Sequence, residues 1–214
     1  MAIFLDSGIH SEVKEAMAWG FVAGITTNPA LLAASGDVSL NALKQLCKMV
    51  PGRVFYQLMS RDLDSMIREA QAAFSIGPSQ IVLKVPCTLS GLQAVARLSL
   101  ETPCAVTALF SPAQAYLASE AGARYLISYL NRSTRLLGDG VALVKAMAAV
   151  LGNSSTELVA ASIKSPAEAV AALNAGADHL AVPFEVIKRM SHHPLTQQAL
   201  EEFDLAARSS TAGS

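Results

Sequence analysis

Aromatic side chains make up only 6% of this 214-residue chain, with one tryptophan, and charged residues only 15%. Apolar residues reach 52% with alanine abundant, a mix suited to small-residue packing between helices and a sheet. Long apolar runs are missing too. Charged or polar residues break every candidate before the ~18 residues a membrane span requires. The mean hydropathy of +0.38 therefore points to a parallel sheet covered on both faces and to subunit contacts. A formal net charge of -1 offers no bulk field for nucleic acid or an anionic membrane. The three cysteines, Cys47, Cys87 and Cys104, are widely spaced and form no CxxC pair. They read as reduced thiols, and Met1–Asp6 has no basic leader, so a cytoplasmic protein is expected. The four histidines include no helical i,i+4 pair beside an acid, so no metal site is expected. No GxGxxG or GxxxxGK[ST] loop follows any apolar segment, which argues against an open nucleotide-binding sheet.

What is present is alternation. Eight apolar segments recur: Ala2–Asp6, Gly24–Asn28, Arg53–Met59, Ile81–Pro86, Cys104–Phe110, Arg124–Leu130, Glu157–Ile163 and His179–Phe184. Several are continuously apolar, as strands covered on both faces should be. Helical spacing fills most of the gaps, at Ser11–Trp19, Leu40–Met49, Asp62–Phe74, Gly91–Leu100, Pro112–Ala121, Val141–Leu151 and Pro166–Ala175. Ser111-Pro112 and Ser165-Pro166 have the cap-then-proline order of a helix start. Gly20, Gly77, Gly122, Gly152 and Gly176 stand near helix ends, where a left-handed residue is needed. Strand–helix alternation implies parallel strands joined by right-handed crossovers, and eight units favour closure into a (β/α)₈ barrel. Residues 1–208 are expected to form one domain that includes an extra C-terminal helix, Leu195–Ala207. The small, polar stretch 209–214 is expected to be a disordered tail.

In such a barrel, chemistry sits at the carboxyl ends of the strands. Those ends carry Asp6, Thr26 with Asn28, Gln57, Lys84, Thr107, Tyr129 with Asn131 and Arg132, and Ser162. So many polar groups converging on one rim imply a pocket, because each costs desolvation energy. Lys84 lies in Ile81-Val82-Leu83-Lys84-Val85-Pro86. Burial among aliphatics lowers a lysine pKa and yields the neutral amine that attacks a carbonyl. The alternative is a lysine paired with a buried acid or snorkelling from a strand end. Lys164 is the competing nucleophile, but Ser165-Pro166 should start a helix just after it and leave it solvated. Asp6 fits a carboxylate that shuttles a hydroxyl proton, or else a structural salt bridge or cap. Gln57 and Tyr129 fit a water-holding pair or ordinary rim hydrogen bonding. Arg132 has the planar fork that suits phosphate, assisted by Ser162, unless it is plain surface.

Leu5-Asp6, Gly24-Ile25-Thr26-Thr27-Asn28-Pro29, Gln57-Leu58-Met59, Val82-Leu83-Lys84-Val85-Pro86, Thr107-Ala108, Tyr129-Leu130-Asn131-Arg132 and Ala160-Ala161-Ser162 together resemble the short bacterial transaldolase family, which includes the fructose-6-phosphate aldolases. The resemblance runs from Ile3 to about Phe203. It implies class I aldol chemistry with no metal or organic cofactor, on a small phosphorylated sugar and a dihydroxyacetone-type donor. Lys84 takes the position of the Schiff-base lysine and Asp6 that of the acid/base carboxylate. Thr26, Asn28, Arg132 and Ser162 are implied as contacts to the sugar phosphate or the bound donor. The resemblance also implies a homo-oligomer, since family members of this length are typically decamers of two stacked pentameric rings, with the C-terminal helix reaching a neighbouring subunit. Phe203 fits such a contact.

Within the family, transaldolases carry glutamate and phenylalanine where this chain has Gln57 and Tyr129. The aldolase branch carries glutamine and tyrosine, with a threonine matching Thr107, around the catalytic water. This chain resembles the aldolase branch at all of these positions. It departs from it at Ile127, Ala105, Val106 and the stretch 133–139, which bear on donor preference and the natural acceptor. The resemblance thus implies a lyase cleaving fructose 6-phosphate or a close analogue. The rivals are a transaldolase and, from another class, a catalytically idle sugar-phosphate binder or oligomeric scaffold.

Overall fold

Strands of this chain pair in sequence order until the last meets the first. A computed structural model describes residues 1–34 and 40–211. Among these, the strands β1 (Ala2–Asp6), β2 (Gly24–Thr26), β3 (Arg53–Gln57), β4 (Ile81–Pro86), β5 (Cys104–Leu109), β6 (Tyr125–Tyr129), β7 (Glu157–Ala161) and β8 (His179–Val182) form a closed, all-parallel barrel. The helices are α1 (His10–Ala18), α2 (Pro29–Ala34), α3 (Leu40–Met49), α4 (Leu63–Phe74), α5 (Leu89–Leu98), α6 (Pro112–Glu120), α7 (Leu130–Leu137), α8 (Gly140–Leu151), α9 (Pro166–Asn174), α10 (Phe184–Met190) and α11 (Pro194–Thr211). The expected (β/α)₈ barrel with an extra C-terminal helix is therefore the observed fold. No described helix is long and apolar enough to cross a membrane.

The continuous apolar runs are explained by two separate cores. Leu5, Ile25, Val54, Leu83, Val106 and Leu158 face outward into a layer shared with the helices. Phe4, Phe55, Val82, Ala105, Ile127 and Val159 pack together inside the barrel. Because strand side chains alternate with a period of two, the residue two positions on points into the same interior, nearer the carboxyl end. That rule sets Asp6 above Phe4, Gln57 above Phe55, Lys84 above Val82, Thr107 above Ala105 and Tyr129 above Ile127. The apolar plug is thus the floor on which the polar rim stands.

Several boundaries differ from the sequence expectation. β2 stops at Thr26, since Asn28 accepts a hydrogen bond from the Leu31 amide and caps α2. Asn28-Pro29 is itself a cap-then-proline start, hidden because it directly follows an apolar strand. Nothing in the pattern announces α7 or α10, whose preceding residues Tyr129 and Pro183 provide no side-chain cap. α11 extends to Thr211, past the helix end expected at Ala207 and into the stretch expected to be a tail. The remainder of that stretch, 212–214, lies outside the described residues. Of the five glycines expected to be left-handed, all but Gly77 have positive φ. At Gly77 a Cβ would meet only side-chain atoms, Gln80 Oε1 at 3.3 Å and Cys47 Sγ at 3.4 Å, so neither φ nor close packing demands a glycine there.

Candidate active site

Lys84 is 4% exposed, in the middle of β4, paired in register between Gln57 of β3 and Ala105 of β5. Its Nζ donates to the Thr27 carbonyl at 2.9 Å. The turn after β2 is built to present that carbonyl. Thr27 donates its hydroxyl to Phe55 O at 2.8 Å and its amide to the same oxygen at 3.1 Å, which ties the turn to β3. Burial of the ammonium pulls the Lys84 pKa down to about 8; the Asp6 carboxylate opposes this, and the Arg132 guanidinium adds to it. At pH 7 about one chain in ten then holds the neutral amine, against about one in 3000 at the ordinary value of 10.5.

A cavity of about 550 Å³ opens above Lys84 at the carboxyl end of the barrel. Asp6, Thr26, Asn28, Gln57, Tyr129, Arg132 and Ser162 all line it with Lys84. The structure therefore brings together every candidate site residue except Thr107. That residue sits one layer back, fully buried, with its Oγ1 2.7 Å from Tyr129 Oη. On the β1–β2 side, Thr26 Oγ1 donates to Asp6 Oδ1 at 2.8 Å, orienting the carboxylate. On the β6 side, the Arg132 guanidinium lies 4.5 Å from the centre of the Tyr129 ring, a stacked contact that holds the fork over the pocket. Ile127 and Ala161 form an apolar part of the wall.

Two non-glycine residues adopt left-handed backbone here, Ala108 at φ 57° and Ser162 at φ 59°. Such conformations cost about 1–3 kcal/mol each and persist only where the surroundings impose them. Ala108 marks a register shift in β5, immediately after Thr107. Ser162 turns the chain out of β7 at the pocket wall, its carbonyl held by the Asn131 amide at 3.3 Å.

Three features were not legible beforehand. Thr27 acts through its backbone carbonyl, which no side-chain pattern signals. Pro29, Ala30 and Leu31 of α2 close one wall of the cavity. Lys164, weighed only as a rival nucleophile, is exposed as expected but lines the same cavity as Arg132. Among the described residues, no group of three or more His, Cys, Asp or Glu side chains is gathered as metal ligands. His179 instead joins Phe4 and Tyr125 inside the barrel and meets Glu157 at 2.9 Å. The three thiols are free, and burial pushes that of Cys104 up to about 12.

Solved structures share the barrel. A mandelate oxidase variant aligns with a TM-score of 0.62 at 17% identity, covering 86% of this chain and 65% of the oxidase. An inosine 5' monophosphate dehydrogenase from Legionella pneumophila aligns with a TM-score of 0.62 at 14% identity, covering 87% of this chain and 58% of that one. At these identities the likeness is one of fold alone. Closer relatives emerge from sequence. A "probable transaldolase" of Syntrophobacter fumaroxidans is 37% identical over 210 residues, 95% of both chains. A "probable transaldolase" of Aquifex aeolicus is 36% identical over 206 residues, 95% of this chain and 94% of the relative. The family model described as transaldolase/fructose-6-phosphate aldolase matches residues 3–212. With a buried lysine, an oriented carboxylate and two cations around one cavity, and with that match over nearly its whole length, the chain belongs to the transaldolase/fructose-6-phosphate aldolase family.

Proposed function

We propose that this protein is a class I aldolase that reversibly cleaves fructose 6-phosphate, or a close analogue, to dihydroxyacetone and glyceraldehyde 3-phosphate. The observation that carries the reading is Lys84, a nearly dry amine whose pKa is lowered to about 8 beneath a polar cavity. Its nitrogen attacks the C2 carbonyl of the ketose, and loss of water from the carbinolamine leaves an iminium. Asp6, steadied by Thr26, takes the proton of the C4 hydroxyl as the C3–C4 bond breaks. The bonding electrons move into the iminium and give an enamine, and the aldehyde leaves. Arg132, Ser162 and Lys164 hold the phosphate, while Thr26 and Asn28 contact the bound sugar. Protonation and hydrolysis of the enamine then release dihydroxyacetone and restore the amine. No metal or organic cofactor takes part in this scheme. The protein works as a homo-oligomer in the cytoplasm, and its free thiols fit a reducing compartment.

The branch assignment rests on Gln57, Thr107 and Tyr129. The 2.7 Å contact between Thr107 and Tyr129 fixes the phenolic oxygen beside the cavity, where with Gln57 it can hold the water that protonates the enamine. The second reading is a transaldolase, favoured by the names of the relatives from Syntrophobacter fumaroxidans and Aquifex aeolicus. In that case the enamine waits for an acceptor aldose phosphate. Release of glyceraldehyde 3-phosphate from fructose 6-phosphate, measured with and without erythrose 4-phosphate, separates the two. Release without acceptor is the expected result. Release only with acceptor makes the protein a transaldolase. In either case, borohydride with the ketose should trap an adduct on the wild type and none on Lys84→Met. An adduct on the variant would remove Lys84 as the nucleophile.

A further inference from the structure

We infer that Glu168, a residue outside the cavity, is a positioning residue for the phosphate end of the site. The inference rests on the assignment of Arg132 and Lys164 as phosphate ligands. Glu168 stands in the first turn of α9, and its carboxylate reaches back to the first turn of α7 and to the loop after β7. Oε1 accepts from Asn131 Nδ2 at 2.9 Å, and Oε2 accepts from the Lys164 amide at 2.7 Å. Asn131 is the immediate neighbour of Arg132. One carboxylate thus joins the chain segments that bear the two cations, at the ends of β6 and β7.

The β7 end is pinned at further points. Ser162, in its left-handed conformation, has its carbonyl held by the Asn131 amide, and the Lys164 carbonyl accepts from Arg189 Nη2 of α10 at 2.8 Å. A strained residue next to a ligand site needs such over-determination to hold one geometry. The Lys164 backbone is therefore fixed on both its donor and its acceptor side, which limits where its ammonium can swing.

The chain contains its own control. Ser111-Pro112-Ala113-Gln114 and Ser165-Pro166-Ala167-Glu168 are matching helix starts after β5 and β7. Gln114 Oε1 accepts from the Phe110 amide at 2.8 Å, just as Glu168 accepts from Lys164. A neutral amide is therefore enough to tie the loop locally. The second bond, to Asn131, belongs to Glu168 alone of the two, and it is the one that spans to the first turn of α7, which carries Arg132. The negative charge so near a phosphate site is by itself unfavourable to an anion, so its presence needs the geometric role to offset it.

Charge and geometry predict opposite signs, which makes the test sharp. Aldol addition of dihydroxyacetone would be followed with glyceraldehyde 3-phosphate and with glyceraldehyde, alongside calorimetric binding of inorganic phosphate. Glu168→Ala should raise KM for the phosphorylated acceptor about tenfold and weaken phosphate binding by a similar factor. Its kcat, and its KM for glyceraldehyde, should stay within about twofold of wild type. Glu168→Gln should recover most of the loss, with Asn131 turning its amide to accept. Unchanged KM, equal losses for both acceptors, tighter phosphate binding, or a Gln variant no better than Ala would each overturn the role. A wild type that binds no inorganic phosphate overturns it together with the phosphate-site assignment. A wild type that binds phosphate but does not cleave fructose 6-phosphate sinks the aldolase reading alone, and the affinities of the variants still decide the clamp.

Discussion

Lys84 is asked to be two things, a charged side chain when the barrel folds and a neutral nucleophile when it reacts. Burial resolves the conflict by making the ammonium costly, so the folded pKa falls from 10.5 to about 8. Two outcomes follow from that single displacement. Since the neutral amine is the reactive form, kcat/KM should rise about tenfold per pH unit below 8 and flatten above it; a pH profile already flat from pH 6 would contradict the assignment. The unfolded chain holds the Lys84 proton more tightly than the folded one between about pH 8 and 10.5, so stability contributed through this group rises with pH across that window. Denaturant titrations at pH 7 and 10 should therefore show wild type gaining about 2.5 kcal/mol relative to Lys84→Met. A constant difference between the two proteins would mean that Lys84 titrates normally.

Elements position these side chains by different local devices. β5 does so with a break in register, α2 with the Asn28 cap that turns TTNP away from the sheet, and α8 with a cap and a glycine in succession. Asp139 accepts from the Ala142 amide at 2.9 Å and starts α8 directly after α7. Asp139→Ala should cost about 1 kcal/mol in urea unfolding, the usual value of a lost cap. Gly140→Ala, one residue along, should cost about 3 kcal/mol or more, because its Cβ would stand 2.1 Å from the Leu130 carbonyl and backbone cannot yield as a side chain can. Equal costs would show that the α7–α8 junction relaxes. The junction matters because α7 carries Arg132, and its own start has no capping side chain to hold it.

At the scale of the whole molecule, α11 is conspicuous for its exposed apolar residues. Leu195, Leu200, Phe203 and Leu205 are all at least half exposed on one chain. A surface of that kind calls for cover, and a second copy of the chain is the partner the family resemblance implies. Sedimentation at micromolar concentration should give a mass several times that of one chain, and truncation after His193 should lower it. A monomer for the full-length protein would refute the homo-oligomer, and an assembly that survives truncation would place the contact elsewhere.

Much of this was readable from sequence because it depends on short-range rules. Continuous apolar strands, Ser-Pro helix starts and polar residues at strand ends follow from periodicity and local chemistry. They led to the barrel, to the extra helix and to the set from Asp6 to Ser162, all of which but Thr107 now line one cavity. Helices α7 and α10 escaped because they begin straight from strand ends without a capping side chain. The role of the Thr27 carbonyl escaped because backbone groups carry no sequence signature. Lys164 and Glu168 escaped for a different reason: their part depends on which loops become neighbours once β6 and β7 pair. The sequence by itself determined the lysine, the order of the strands and the chemistry available at their ends. Only the closed tertiary structure decided how dry Lys84 is, which oxygen takes its proton bond and which two cations share a wall, because burial and juxtaposition exist only after distant segments have packed.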